Sequence, residues 1–242
     1  MALRSKTQIG TLLIFGFSAL LSAAEPIQIE VRHRHWRHGA NGVLRISDAA
    51  IVFEEAGKHK DHYRKWGFDD IEQLTLSPGV LRILTYEDRR WQLGRDREFV
   101  FDNLPEDLAT KLYPEFSRRL DQRLVAALPD PTVQTLWQLP AKLLVRTGGP
   151  QGALLVGKDV IVFRTDSAER SRTWRIKDVD SISSSGPFDL TITTFERSGE
   201  NYANHKDFHF ELKRAMAESD YNALWRKVNE SKGLQILNSS AQ

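Results

Sequence analysis

The feature that most constrains what this 242-residue chain can fold into is an internal repeat with a spacing of about 109 residues. GVLRISDAAIVF, from Gly42 to Phe53, matches GALLVGKDVIVF, from Gly152 to Phe163, at an offset of 110. WGFDDIEQL, from Trp66 to Leu74, matches WRIKDVDSI, from Trp174 to Ile182, at an offset of 108, with Asp70 and Asp178 in register. LRILTYE from Leu81 pairs with LTITTFE from Leu190, and FVF at Phe99 pairs with FHF at Phe208, both at 109. The offset drifts only where loops belong, so one architecture is written twice. Its boundaries fall at 25–130 and 131–231, followed by a polar tail over 232–242 that is expected to be flexible.

Within each copy the apolar residues alternate with polar ones over short runs, the period of a strand with one buried face. About seven such runs precede a helical pattern. In the first copy Leu104, Leu108, Leu112, Phe116, Leu120 and Leu124 recur every four residues, Asn103-Leu104-Pro105 starts the helix, and Pro114 should kink or split it. In the second, Tyr221, Leu224, Trp225 and Val228 line one face from about Ser219. The stretch LPDPTVQTLWQLP, with Pro129, Pro131 and Pro140, reads as the linker. The expected fold class is therefore mainly β with α: two tandem small barrels or sandwiches, each closed by a C-terminal helix.

The G-x-L-x-I-x-D-x-x-I-x-F pattern at Gly42 to Phe53, the W-x-x-x-D-I-x-x-L pattern at Trp66 to Leu74 and the terminal helix resemble the pleckstrin-homology-like superfamily in its bacterial, GRAM-like branches. The resemblance covers about residues 27–127 and 137–231. It implies a scaffold that binds lipids, peptides or protein partners rather than one that catalyses. The superfamily's basic grip for a phosphoinositide headgroup is not cleanly reproduced. Arg34, Arg37 and Arg45 are the nearest residues, position 47 is Ser, and the second copy offers only Lys142 and Arg146.

MALRSKTQIGTLLIFGFSALLSAAEP carries Arg4 and Lys6, an apolar run from Thr11 to Leu21 and small residues before Glu25, which reads as a signal peptide over 1–24 cut after Ala24. The apolar run is shorter than the roughly 20 residues that cross a bilayer. That segment holds two of the 34 basic residues and none of the 32 acidic ones, so the remainder is formally neutral. A neutral chain lacks the basic footprint of a nucleic-acid binder. Cysteine is absent, which removes disulfides, thiolate metal sites and a cysteine nucleophile. An exported protein of two small domains without disulfides fits the bacterial periplasm or the medium better than a eukaryotic secretory route.

The densest chemistry lies in RHRHWRHG, residues 32–39. On a strand His33 and His35 share the face of Ile27, Ile29 and Val31, and at offset 110 they fall on Leu143 and Val145. Both are therefore expected to point inward as hydrogen-bonded histidines. The competing reading makes His33 and His35 two ligands of a zinc in a metal-dependent hydrolase, with His38, His59 or His62 as a third. Arg32, Arg34 and Arg37 alternate to the other face with Trp36, where they form a candidate patch for an anion, an acidic peptide or a lipid headgroup. EDRRWQLGRDREF, from Glu87 to Phe99, reads as a hairpin laced by cross-strand charges. Asp69 and Asp70 read as turn caps, and SSSG at Ser183 to Gly186 as a turn. No nucleophile elbow, H-E-x-x-H or glycine-rich phosphate loop is present. The expectation is an exported, non-enzymatic binding or scaffolding protein, with no cofactor, whose partner is a protein or peptide.

Overall fold

The computed structural model describes residues 25–34, 39–56, 63–89, 92–197, 205–230 and 232. In the first copy the strands are β1 (Ile27–His33), β2 (Ala40–Ile46), β3 (Ala50–Glu55), β4 (Arg64–Gly67), β5 (Ile71–Ser77), β6 (Val80–Arg89) and β7 (Gln92–Asp102), followed by helix α1 (Leu108–Arg119). A further strand, β8 (Leu124–Ala126), leads into the second copy. There the strands are β9 (Thr135–Leu144), β10 (Gln151–Gly157), β11 (Val160–Thr165), β12 (Arg172–Arg175), β13 (Val179–Ser183), β14 (Asp189–Thr194) and β15 (Lys206–Leu212), closed by α2 (Glu218–Glu230).

The protein is mainly β, and its strands join into one sheet in the order β13-β14-β15-β9-β10-β11-β12-β8-β5-β6-β7-β1-β2-β3-β4. Each copy contributes the same internal order, its fifth, sixth and seventh strands followed by its first to fourth. The registers repeat as well. Ile29 faces Leu44 as Leu139 faces Leu154, Leu81 faces Phe101 as Leu190 faces Phe210, and Ile51 faces Trp66 as Ile161 faces Trp174.

Each run of seven strands curls back on itself. Trp66 on β4 and Phe99 on β7 are four strands apart in the sheet, a separation of roughly 19 Å if the sheet were flat. Their ring centroids are 4.7 Å apart. Trp174 on β12 and Phe208 on β15 repeat the contact at 4.8 Å. The curl encloses two cores: one drawn from residues 29–128 around Phe53, Phe101 and Phe116, the other from residues 141–228 around Phe163, Phe210 and Leu224. Alternation makes this possible, as β2 shows by burying Ala40, Gly42, Leu44 and Ile46 and turning the residues between them outward. Each large side chain fully removed from water contributes about 1.5–3 kcal/mol.

The copies are not two unconnected units, and the reason is β8. Leu124, Val125 and Ala126 are buried and pair in parallel with Leu74, Thr75 and Leu76 of β5. Ala126 also meets Thr173 of β12 from the other side. A helix was expected to run on to Leu124, but α1 ends with Leu120 in extended conformation, and Leu124 belongs to the new strand. The start also differs. Asn103 has a positive φ of 64°, and the helix opens only at Leu108. Pro114 sits inside α1 without splitting it, although it deprives the Thr110 carbonyl of its helical N–H donor.

The expected linker also proves structured. Leu128 belongs to the first core and β9 starts at Thr135, so Pro140 lies within a strand. In α2, Leu224 and Val228 face the core, but Trp225 is 41% exposed and lies off that face. The hairpin of β6 and β7 and its Arg82–Glu98 and Arg97–Glu87 pairs, both at 3.5 Å, match the sequence expectation. So does Asp70, whose carboxylate accepts from the Gly67 N–H at 2.9 Å. Among the described residues no helix is long and apolar enough to cross a membrane.

Candidate binding cleft

The candidate residues of the opening strand scatter. His35, Trp36, Arg37 and His38 lie outside the described residues, as do His59 and His62. His33 is 6% exposed and packs among Phe53, Phe99 and Phe101, with ring centroids 5.1–5.7 Å away. Its partner across the sheet is Phe101, as Phe210 is the partner of Leu143, so the histidine occupies the leucine's place. The parallel stops there. Val145 is 51% exposed and lies past the end of β9, which removes the repeat-based reason for placing position 35 inward.

Arg32 and Arg34 point outward, but Arg34 holds both oxygens of Asp102 at 2.8 and 2.9 Å, and Arg45 is held by Glu54 at 2.6 Å. Two of the expected anion-binding arginines are thus matched by carboxylates. Among the described residues no three His, Asp or Glu side chains gather as a metal site.

A second concentration of buried charge surrounds Trp174, whose indole N–H donates to Glu196 at 3.1 Å. Arg172 and Lys206 close on the same carboxylate at 3.6 and 3.8 Å. Burial lowers the Lys206 ammonium below its ordinary pKa, and Arg172 beside it adds to that. In the first copy the matching Glu87 is 56% exposed where Glu196 is 8%, so the same frame buries the carboxylate in one copy and leaves it in solvent in the other.

The larger feature is a cleft of about 790 Å³ where the copies meet. One wall is the stripe Thr110, Tyr113, Pro114 and Ser117 of α1, spaced i, i+3, i+4 and i+7 so that all four share a face. The floor is Asp130-Pro131-Thr132. The far wall combines Asp159 and Val160 where β11 begins, Arg175 at the end of β12 with Ile176 and Lys177 after it, and Lys227 and Glu230 at the end of α2.

The floor and the walls are tied by hydrogen bonds that cross between copies at Thr173 and Arg175. The Thr173 hydroxyl donates to the Leu128 carbonyl at 2.8 Å and accepts from the Asp130 N–H at 2.9 Å. The Asp130 carboxylate turns back on the chain, its Oδ1 accepting from the N–H and hydroxyl of Thr132 at 2.8 and 2.7 Å, which closes a tight turn between two prolines. Away from the cleft lining, the Arg197 backbone N–H donates to Gln73 at 2.8 Å and its side chain pairs with Glu72 and Asp96, a further tie between the copies. Burial pushes Glu72 above the ordinary carboxylate range, against the pull of Arg197.

The strongest tie is Arg175. A helix ends with carbonyls that have no partner in the helix, and a cation there also meets the negative end of the dipole. Arg175 of the second copy donates to the carbonyls of Ser117, Leu120 and Asp121 at the end of α1. Its remaining contacts go to both oxygens of Asp178, with Nη2 to Oδ1 at 2.9 Å and Nε to Oδ2. Asp178 is 7% exposed, and burial raises its pKa to about 6 against the opposing pull of Arg175 and Lys177. Burial likewise raises the Tyr113 phenol, and the Asp130 carboxylate adds to the shift.

Sequence reasoning passed over this site, yet it left a signal. Arg175 stands where the first copy has Gly67, and Asp178 matches Asp70. An arginine that replaces a turn glycine in one copy only is the kind of difference a repeat hides while its likenesses are being counted.

No family model matches the chain, and no curated protein matches it. Among solved structures, the C-terminal domain of an unknown protein from Leishmania infantum overlaps 51% of this chain and 97% of its own, at 13% identity and a TM-score of 0.31. The Spt16D Pob3N heterodimer overlaps 78% of this chain and 98% of its own, at 9% identity and a TM-score of 0.30. Overlaps this slight carry no argument about fold or function.

Proposed function

We propose that the chain is an exported, non-enzymatic binding or scaffolding protein made of two tandem pleckstrin-homology-like domains, and that the cleft between them receives a protein or peptide partner. The observation that carries the reading is the cleft itself. Its walls come from both copies, and hydrogen bonds between the copies hold them at a fixed distance. A preorganised concave site with apolar walls and a few converging polar groups is the form that binding sites take. The duplicated strand order, with one helix after each run, supports the domain assignment. The N-terminal segment supports export through a cleaved signal peptide to the bacterial periplasm or the medium.

Thr110 is exposed on the cleft wall, so Thr110→Trp fills the space without entering the core. Partners crosslinked in an envelope extract to the wild-type protein should be lost from this variant. Unchanged crosslinking would place binding elsewhere. Salt-sensitive flotation on anionic liposomes without any crosslinked protein would favour the peripheral lipid reading that began from Arg32, Arg34 and Arg37.

A further inference from the structure

The cleft lining carries three carboxylates, Asp130, Asp159 and Glu230, and three cations, Arg175, Lys177 and Lys227, but the two sets are not equally engaged. Each cation on the walls is already engaged. Arg175 has every guanidinium nitrogen turned to Asp178 or to the end of α1. Lys177 pairs with Asp121 at 3.3 Å and Lys227 with Asp159 at 3.6 Å. The acceptors are less committed. Asp130 is 7% exposed, and its Oδ1 is satisfied by Thr132. No described residue donates to Oδ2 of the same carboxylate. A carboxylate of low exposure whose second oxygen is held by no described residue, in a cleft walled by Pro114, Pro131, Val160 and Ile176, suits an N–H donor that carries positive charge on an apolar body.

We infer that the cleft recognises a partner segment that presents a lysine or arginine side chain between apolar residues, with the cation placed on Asp130 and the apolar neighbours against the proline and aliphatic walls. This rests on the cleft being the binding site. The ammonium or guanidinium supplies a donor to Oδ2, and the apolar walls draw water away from the pair and so strengthen it. An acidic segment would meet Asp130 and Glu230 with no uncommitted cation to offset them.

The test titrates full-length protein with fluorescein-labelled, end-blocked tripeptides Leu-Lys-Leu, Leu-Arg-Leu and Leu-Glu-Leu, reading anisotropy at two salt concentrations, with butylamine as competitor. The Lys and Arg peptides should saturate, weaken with salt, and bind the Asp130→Asn protein at least tenfold less well. Asparagine keeps the oxygen that Thr132 needs, and a melt of the variant checks the fold. The Glu peptide should not bind. Equal binding of Lys and Glu peptides, an Asp130→Asn protein that binds as wild type, or no saturable binding of any peptide overturns the inference. Competition by butylamine as strong as by unlabelled Lys peptide also overturns it, in favour of a free amine. If Thr110→Trp abolishes partner crosslinking while Asp130→Asn changes nothing, the ligand class is wrong and the cleft stands; if Thr110→Trp changes nothing, the cleft itself is wrong.

Discussion

Replacing Arg175 with methionine isolates what holds the copies together. Methionine keeps the length and apolar character of the stem and removes the guanidinium. Two losses follow. The carbonyls of Ser117, Leu120 and Asp121 lose their donor, and Asp178 is left buried beside an apolar side chain. The carbonyls near the surface recover water, so the first loss is about 1–2 kcal/mol. Removing one member of a buried ion pair costs about 3–5 kcal/mol, because the remaining charge must either stay desolvated or take up a proton. The single variant should therefore lose about 4–7 kcal/mol at pH 7.5 in urea unfolding of the full-length protein. Arg175→Met with Asp178→Leu removes the stranded charge and should recover most of that, ending within about 2 kcal/mol of wild type. Hydrogen exchange should show the last turn of α1 frayed in both variants. The reasoning fails if the single substitution costs less than about 1 kcal/mol, or if the double variant is no more stable than the single.

Asp178 supplies a prediction about pH. Its folded pKa of about 6 lies above the ordinary 3.8, so the folded state binds the extra proton between these values, and the stability this group contributes is full below about pH 4 and lost as pH rises through 6. The stability of wild type relative to Asp178→Asn should fall by about 3 kcal/mol from pH 4 to pH 7; a flat or rising difference would mean that Arg175 outweighs burial. Truncating Trp66 or Trp174, each 2% exposed, to alanine should cost about 3–5 kcal/mol in thermal melts, with the larger loss at Trp174 because Glu196 loses its indole donor. His33→Leu should hold or raise the melting temperature, since leucine already fills the matching place at 143; chelator-sensitive stability in the wild type alone would speak for a metal. Residues 25–130 on their own should melt cooperatively, because β8 and Leu128 complete their core; a non-cooperative melt would show that the first copy needs the second.

The strand runs and the correspondence between copies were legible because they depend on alternation and on a match between copies, both local properties of the text; the order in which the strands pair, and their joining into one sheet, were not. Trp66 and Trp174, matched between the copies in the sequence, are both 2% exposed in the fold. What brings the copies together was not legible. β8 is a strand of three residues hidden in what looked like the end of a helix, since Leu120 and Leu124 keep the four-residue spacing of α1. Spacing alone cannot show that the chain turns extended at Leu120 to satisfy the edge of β5. The cleft escaped because its parts are far apart in sequence, Thr110 being more than a hundred residues from Lys227. The histidine-rich stretch drew notice through density of unusual residues, and density says nothing about what faces it. His33 turned inward to three phenylalanines, and Arg34 found Asp102.

β8 also makes the two halves unequal in time. Leu124 and Ala126 belong to the first core, while the strand's outer edge meets β12. During synthesis the first half emerges with its own last strand already in hand and can close before the second exists. The second half then condenses onto a finished template that offers it Ala126, the carbonyl of Leu128 and the end of α1. In reverse, the second half can open and leave β8 seated on β5, but the first cannot open without withdrawing the surface on which the second was built. Local opening should thus begin in the later half, and proteolysis under native conditions should leave the earlier half as the longer-lived fragment.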